Sequence, residues 1–156
     1  MKEIAKQISS IFPEGLFSEI CGLIEKSKNT IAVRINAEIT ILYWHIGHRI
    51  NTDFLDNKRG SYGKQIVSQL ATILSEKYGK EFEIRNLRRM MQFAKQFNDF
   101  SIVSQVATQL SWSHFIELLP LKDALKREFY LTLSVHEGWG RDILRGRTYG
   151  YKWQTR

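Results

Sequence analysis

From Leu16 to Ile50 the apolar residues recur in steps of three or four: Leu16, Ile20, Leu23, Ile24, Ile31, Ile35, Ile39, Leu42, Ile46 and Ile50, with the phase barely lost across Asn29-Thr30. That is the period of an α-helix, not the alternation of a strand. In a chain of 156 residues it predicts either one long helix or two nearly collinear ones, and an all-α fold around them. Around Ile39-Thr40-Ile41-Leu42-Tyr43-Trp44 the apolar residues cover more than one face, so this part is expected to run through the core as scaffold. His45 and His48, three apart on it, have one spacing that can hold a metal. Metal ligands come in sets of three or four, however, and no Cys, Asp or Glu is suitably placed beside them. Packing or capping is the expected role, with no metal and no cofactor.

Before this helix, residues 1–15 read as a short lead that Pro13-Glu14-Gly15 interrupts. After it, Asp56-Asn57-Lys58-Arg59-Gly60-Ser61 reads as a charged loop. Asp56-x-Lys58 is formally half of a metal-dependent nuclease motif, but no flanking strand supplies the second carboxylate, so the match is set aside. A helix is expected from Tyr62 to about Tyr78 with Ile66, Leu70, Ile73 and Leu74 inward and Gly79 as its stop. Lys80-Glu81-Phe82-Glu83 then leads into IRNLRRMMQFAKQF, Ile84 to Phe97.

On a helix this last stretch gathers Leu87, Met90, Met91, Ala94 and Phe97 on one side and Arg85, Arg88, Arg89, Gln92 and Gln96 on the other. Arginine forks and side-chain amides pair with phosphates and purine edges, so a helix carrying them in a row is what a major-groove reader needs. A basic face of this kind is also common on ordinary surface helices. Helix, short connection, basic helix follows the helix-turn-helix plan, stretched in the turn. The candidate nucleic-acid-binding residues are Arg85, Arg88, Arg89 and Gln92 toward the groove, Asn86 and Lys95 flanking it, and Lys80 approaching the backbone from the connection.

IVSQLATILS at 66–75 reappears as IVSQVATQLS at 102–111, eight of ten positions identical at an offset of 36. After each copy the chain turns and resumes an amphipathic pattern, with Leu87-Arg88-Arg89 and Leu125-Lys126-Arg127, which suggests two degenerate copies of one helical unit. In the second, Ser113 is expected to cap a helix from His114 to Leu119 that carries a glutamate, Glu117, and no basic residue. Pro120 ends it. Residues 122–136 follow as a helix with Leu125, Phe129 and Leu133 inward and Lys122, Lys126 and Arg127 outward. The remainder, RDILRGRTYGYKWQTR, is basic and aromatic. Its glycines at 146 and 150 leave no period that would bury anything, which fits a nucleic-acid-binding tail or a frayed terminus.

A formal charge of +7 and a pI near 9.6 favour polyanionic partners. With 43% hydrophobic residues the chain can close a core. Cys21 is the single cysteine, so neither an intrachain disulfide nor a thiolate metal cluster can form. No signal peptide and no apolar run of about 20 residues is present, so a cytoplasmic protein without a membrane partner is expected. Glu38, Asp56 and Glu117 fall on separate elements with no base, nucleophile or metal set beside them, and no enzyme chemistry is assigned.

INAEITILYWHIGHRI, YGKQIVSQLATILSEKYGKEFEIRNLRRMMQFAKQF, QLSWSHFIELLPLKDALKREFY and EGW together resemble the N-terminal domain of the YhcG-like family of PD-(D/E)XK nucleases. That domain has been catalogued as of unknown function. The resemblance is collinear over residues 16–145 and implies a compact multi-helix domain with helix-turn-helix or winged-helix-like units, ahead of a separate nuclease domain. The sequence departs from the family after Leu144, so residues 146–156 are set apart as a tail. The chain is expected to be either a truncated member or a stand-alone copy, and the family's nuclease activity is carried to no residue in it. The reading is a DNA-binding module without catalysis of its own. The alternative is a protein-interaction or dimerisation module that partners a nuclease domain, a nuclease subunit or a second copy of the chain.

Overall fold

The structure, a computed structural model, describes residues 2–4, 6, 13–57 and 60–154, without the side chains of 54–57, 60–62 and 150–154. The fold is all-α, with no strand among the described residues. None of the described helices is long and apolar enough to cross a membrane. Asp56-x-Lys58 and the whole of the charged loop around it, residues 56–61, lie outside the described side chains.

The long apolar period forms one helix, α1 (Leu16–Asn57), 42 residues in length. It starts after the turn Glu14-Gly15, across which the Pro13 carbonyl accepts from the Leu16 N–H. The chain divides within α1 into two compact units, residues 1–35 and 36–156. In the first, every residue from Leu16 to Ile35 is exposed except the half-buried Cys21.

The second unit holds the core. Tyr43 and Trp44 of α1 are buried, as expected, but Ile39 and Leu42 are exposed and the inward place goes to Thr40. Its hydroxyl is satisfied by donating to the Asn36 carbonyl at 2.9 Å. Next comes α2 (Gly60–Tyr78), which buries Val67 and Ala71. Ile66, Leu70 and Leu74 are half-buried, whereas Ile73, expected inward, is 62% exposed. Gly79 stops it at φ 120°, a backbone angle that favours glycine. A 3₁₀ turn (Lys80–Phe82) leads into α3 (Ile84–Gln96). Then follow α4 (Phe100–Val106), α5 (Trp112–Leu118), α6 (Ala124–Glu137) and α7 (Arg141–Gln154).

The repeated ten residues adopt two structures. The first copy is continuous helix, whereas the second leaves the helix after Val106 and turns through Ala107–Leu110. Both copies turn equivalent residues inward, Val67 and Ala71 in one and Val103, Ala107 and Leu110 in the other. What differs is downstream. Ser111 is extended at ψ 171° and caps α5, exchanging hydrogen bonds with His114. The cap is therefore Ser111, not Ser113. A side chain that accepts from a helix's free N–H groups competes well with one more turn of the preceding helix.

In α6 the expected phase is wrong. Leu125 and Phe129 are 77% and 55% exposed, and Arg127 is buried beside Leu131 and Ser134. The Arg127 guanidinium stacks over Phe97, 5.6 Å from the ring centroid, and donates to the Leu121 carbonyl at 2.6 Å. Burial pulls its pKa below the usual arginine value, and the Asp123 charge opposes that shift. The expected loose tail is instead the helix α7, with Leu144 and Thr148 fully buried.

Two apolar clusters make the core. One is built on Trp44, Phe93, Phe115, Leu118 and Leu144, the other on Tyr43, Val67, Leu87 and Met90. Helices α1 and α3 supply both clusters and so form the spine. Gly47 is the point of closest approach: a Cβ there would lie 1.9 Å from the Met90 carbonyl oxygen. Trp44 Nε1 donates to the Phe97 carbonyl at 2.7 Å and Asn51 Nδ2 to the Met91 carbonyl at 2.8 Å. One face of α1 thus holds α3 at Met90, Met91 and Phe97.

Candidate nucleic-acid interface

Helix α3 has no acidic residue and buries Leu87, Met90, Phe93 and Ala94. The expected apolar face is shifted by part of a turn. Phe93, absent from the expected set, is fully buried, while Met91 and Phe97 are only half-buried. The polar face stands. Arg85, Arg88, Gln92 and Lys95 are exposed, and Arg89, Gln96 and Asn86 are half-buried. Among the described residues no carboxylate makes an ion pair with Arg85, Arg88, Arg89 or Lys95.

The amides are engaged in the fold. Gln92 Nε2 and Gln96 Nε2 both donate to the Leu119 carbonyl at 3.1 Å. That carbonyl belongs to the end of α5, where the last helical acceptors have no partner within the helix. Asn86 Nδ2 donates to the Glu81 carbonyl at 2.9 Å, tying the 3₁₀ turn to the first turn of α3. Lys80 is exposed at the start of that turn. Close by, the Tyr43 hydroxyl is pushed above its usual pKa, first by burial and second by the Glu81 charge.

Arg89 and Gln92 also line a cleft of about 380 Å³ with Ile116, Glu117, Leu119, Pro120, Arg145 and Tyr149. Glu117 is 9% exposed, and Arg145 Nε lies 3.6 Å from its Oε1. Helix α7 therefore brings an exposed arginine to the edge of the α3 face. Sequence reasoning missed Arg145 as part of this site because it assigned the segment to a tail. The i, i+4 pair Leu144 and Thr148, which α7 buries, was the available signal.

The other histidine and acid candidates do not converge. His48 stacks on Trp44 at 4.8 Å and His45 packs on Phe100 at 4.8 Å, the packing roles expected. His114 Nε2 lies 2.8 Å from the Trp139 carbonyl, which can only accept, so Nε2 carries the proton and Nδ1 accepts from the Ser111 N–H. No group of three or more His, Cys, Asp or Glu side chains among the described residues is placed to hold a metal ion.

The fold and this face define an all-α domain that braces a basic helix from behind and leaves its cations in solvent. The chain belongs to the DUF1016 N-terminal domain family, which it matches over residues 19–151. The match continues past Leu144 into the segment set apart from the sequence as a tail. A curated relative, "Putative nuclease YhcG" of Escherichia coli (strain K12), is 25% identical over 151 aligned positions that cover 77% of this chain. The aligned part is 40% of that relative's length. No solved structure matches the chain.

Proposed function

We propose that this chain is a DNA-binding module, helix-turn-helix-like in its use of α2, the 3₁₀ turn and α3, and non-catalytic by itself. The observation that carries the reading is the row of exposed cations Arg85, Arg88 and Lys95, without an ion-pair partner among the described residues, on a helix whose opposite face is locked in the core. A braced helix presents charge at fixed spacing, which phosphate contacts require, and the domain's net charge of +7 acts in the same direction. The amide nitrogens of Gln92 and Asn86 already hold backbone carbonyls. The arginines are therefore the principal contacts, with Lys80 and Arg89 at the two borders. A nuclease activity such as the relative's name states would need carboxylates brought together on a metal, and the described acids do not supply that set.

The test is the salt dependence of binding to short duplex DNA by the wild type and by the double variant Arg85→Ala, Arg88→Ala. Two lost phosphate contacts should make the log-log slope shallower by about 1.8, with helicity unchanged because both side chains are exposed. Equal slopes for the two proteins, or no binding near physiological salt, would refute the assignment. Weight would then move to the second reading, a module that docks a nuclease domain or subunit, which the exposed apolar residues of α1 favour.

A further inference from the structure

We propose that residues 20–35 of α1 pair with the same segment of a second copy in antiparallel orientation. Phe17, Ile20, Ile24, Ile31 and Ile35 are between 46% and 57% exposed, far more than helical apolar residues facing a core. They recur at eleven-residue intervals, Ile20 with Ile31 and Ile24 with Ile35, a step that the sequence repeats once more at Leu42 and Ile46. Eleven residues per three turns is close to the natural pitch of a straight α-helix, so such a stripe runs nearly parallel to the axis and suits a straight partner helix of equal length. The segment spans about 24 Å.

A second copy is selected over other occupants by the segment's own symmetry. About a midpoint between Ser27 and Lys28, Ile20 mirrors Ile35 and Ile24 mirrors Ile31. Reversing the helix therefore lays isoleucine on isoleucine. The charges follow the same plan. Residues 16–25 carry Glu19 and Glu25 and no base, while residues 26–35 carry Lys26, Lys28 and Arg34 and no acid. About the same midpoint, antiparallel copies bring Glu19 within two positions of the second copy's Arg34 and Glu25 within two of its Lys28, whereas parallel copies oppose like charges. The helix dipoles also favour the antiparallel arrangement.

The experiment is sedimentation equilibrium of the whole chain, followed by disulfide mapping in a Cys21→Ser background. The wild type should have the mass of two copies, and the double variant Ile24→Glu, Ile31→Glu the mass of one with its helicity and melting of the core unchanged. Under oxidation Ser27→Cys, near the two-fold axis, should cross-link to itself. Ile20→Cys should cross-link only when mixed with Ile35→Cys. A monomeric wild type, a dimer that survives the double variant, or Ile20→Cys cross-linking to itself would overturn the proposal. None of these readouts depends on DNA binding.

Discussion

Gly47→Ala tests how the basic helix is held. The added Cβ would sit 1.9 Å from the Met90 oxygen, 2.4 Å from its carbonyl carbon and 2.9 Å from the Met91 nitrogen. All three are backbone atoms of α3, so no rotamer change relieves the clash. An ordinary carbon-to-carbonyl contact is about 3.3 Å, so α1 and α3 must separate locally by more than 1 Å. That movement stretches the Trp44–Phe97 and Asn51–Met91 hydrogen bonds, now 2.7 and 2.8 Å, past useful length. Overpacking costs about 1–3 kcal/mol, and the two lost bonds, part-buried at both donors, cost about 1 kcal/mol or more each. The better helix propensity of alanine returns about 1 kcal/mol. The net loss is about 3 kcal/mol, a fall in melting temperature of roughly 6–12 °C for a domain of this size. Circular dichroism melts of Gly47→Ala and Gly22→Ala side by side give the measurement. A Cβ at Gly22 meets nothing within 4 Å, so the same substitution there should cost no stability. Gly47→Ala melting within a degree or two of wild type would refute the close α1–α3 contact and, with it, the bracing of the arginine face.

Leu87→Ala should cost about 2–5 kcal/mol, because the side chain is fully buried in the cluster with Val67 and Met90. Met91→Ala should cost clearly less, since Met91 is half-buried, and urea unfolding of the pair that gave equal losses would contradict that ranking. Asp99 caps α4 by accepting from Ser101 N at 3.0 Å and Ser101 Oγ at 2.6 Å, and these bonds lower its pKa. A carboxyl depressed in the folded state stabilises above its unfolded pKa, near 3.9, and loses that contribution as pH falls through the folded value. The stability gap between wild type and Asp99→Asn should therefore close on acidification below about pH 4, and a gap constant down to pH 2 would show that the carboxylate charge is not what stabilises the cap.

The all-α fold and the arginine face were legible because both are written in local periodicity. Leu87, Met90 and Ala94 recur at helical spacing, and Arg85 and Arg88 fall opposite them. What local periodicity cannot show is a partner that arrives from elsewhere in the chain. Phe93 is buried because α3 lies between two clusters, which widens its buried arc beyond one amphipathic face. Arg127 looks like a surface cation until Leu121, six residues earlier, turns its carbonyl toward it and Phe97 covers its plane. Once Arg127 takes that inward place, Leu125 and Phe129 rotate into solvent. The glycines of α7 argued against a helix by propensity alone. Packing of Leu144 and Thr148 overrides that preference.

The same distinction decides which part of the basic surface is free to meet phosphate. Toward its outer edge α3 carries Arg85, Arg88 and Lys95 in solvent. Toward α5 and α7 it carries Arg89 in a cleft that also contains Glu117 and Arg145. A carboxylate that is 9% exposed is costly to leave unpaired, so Arg145, although itself exposed, is partly committed to it at 3.6 Å. The negative charge of Glu117 also opposes an anion entering beside Arg89. On the proposed DNA-binding reading, phosphate contacts should therefore follow the outer row and stop at the cleft, with Arg145 set against Glu117 at that boundary. An arginine's place in the sequence cannot separate these two surroundings, because what divides them is one glutamate on α5 that folding brings to the edge of α3.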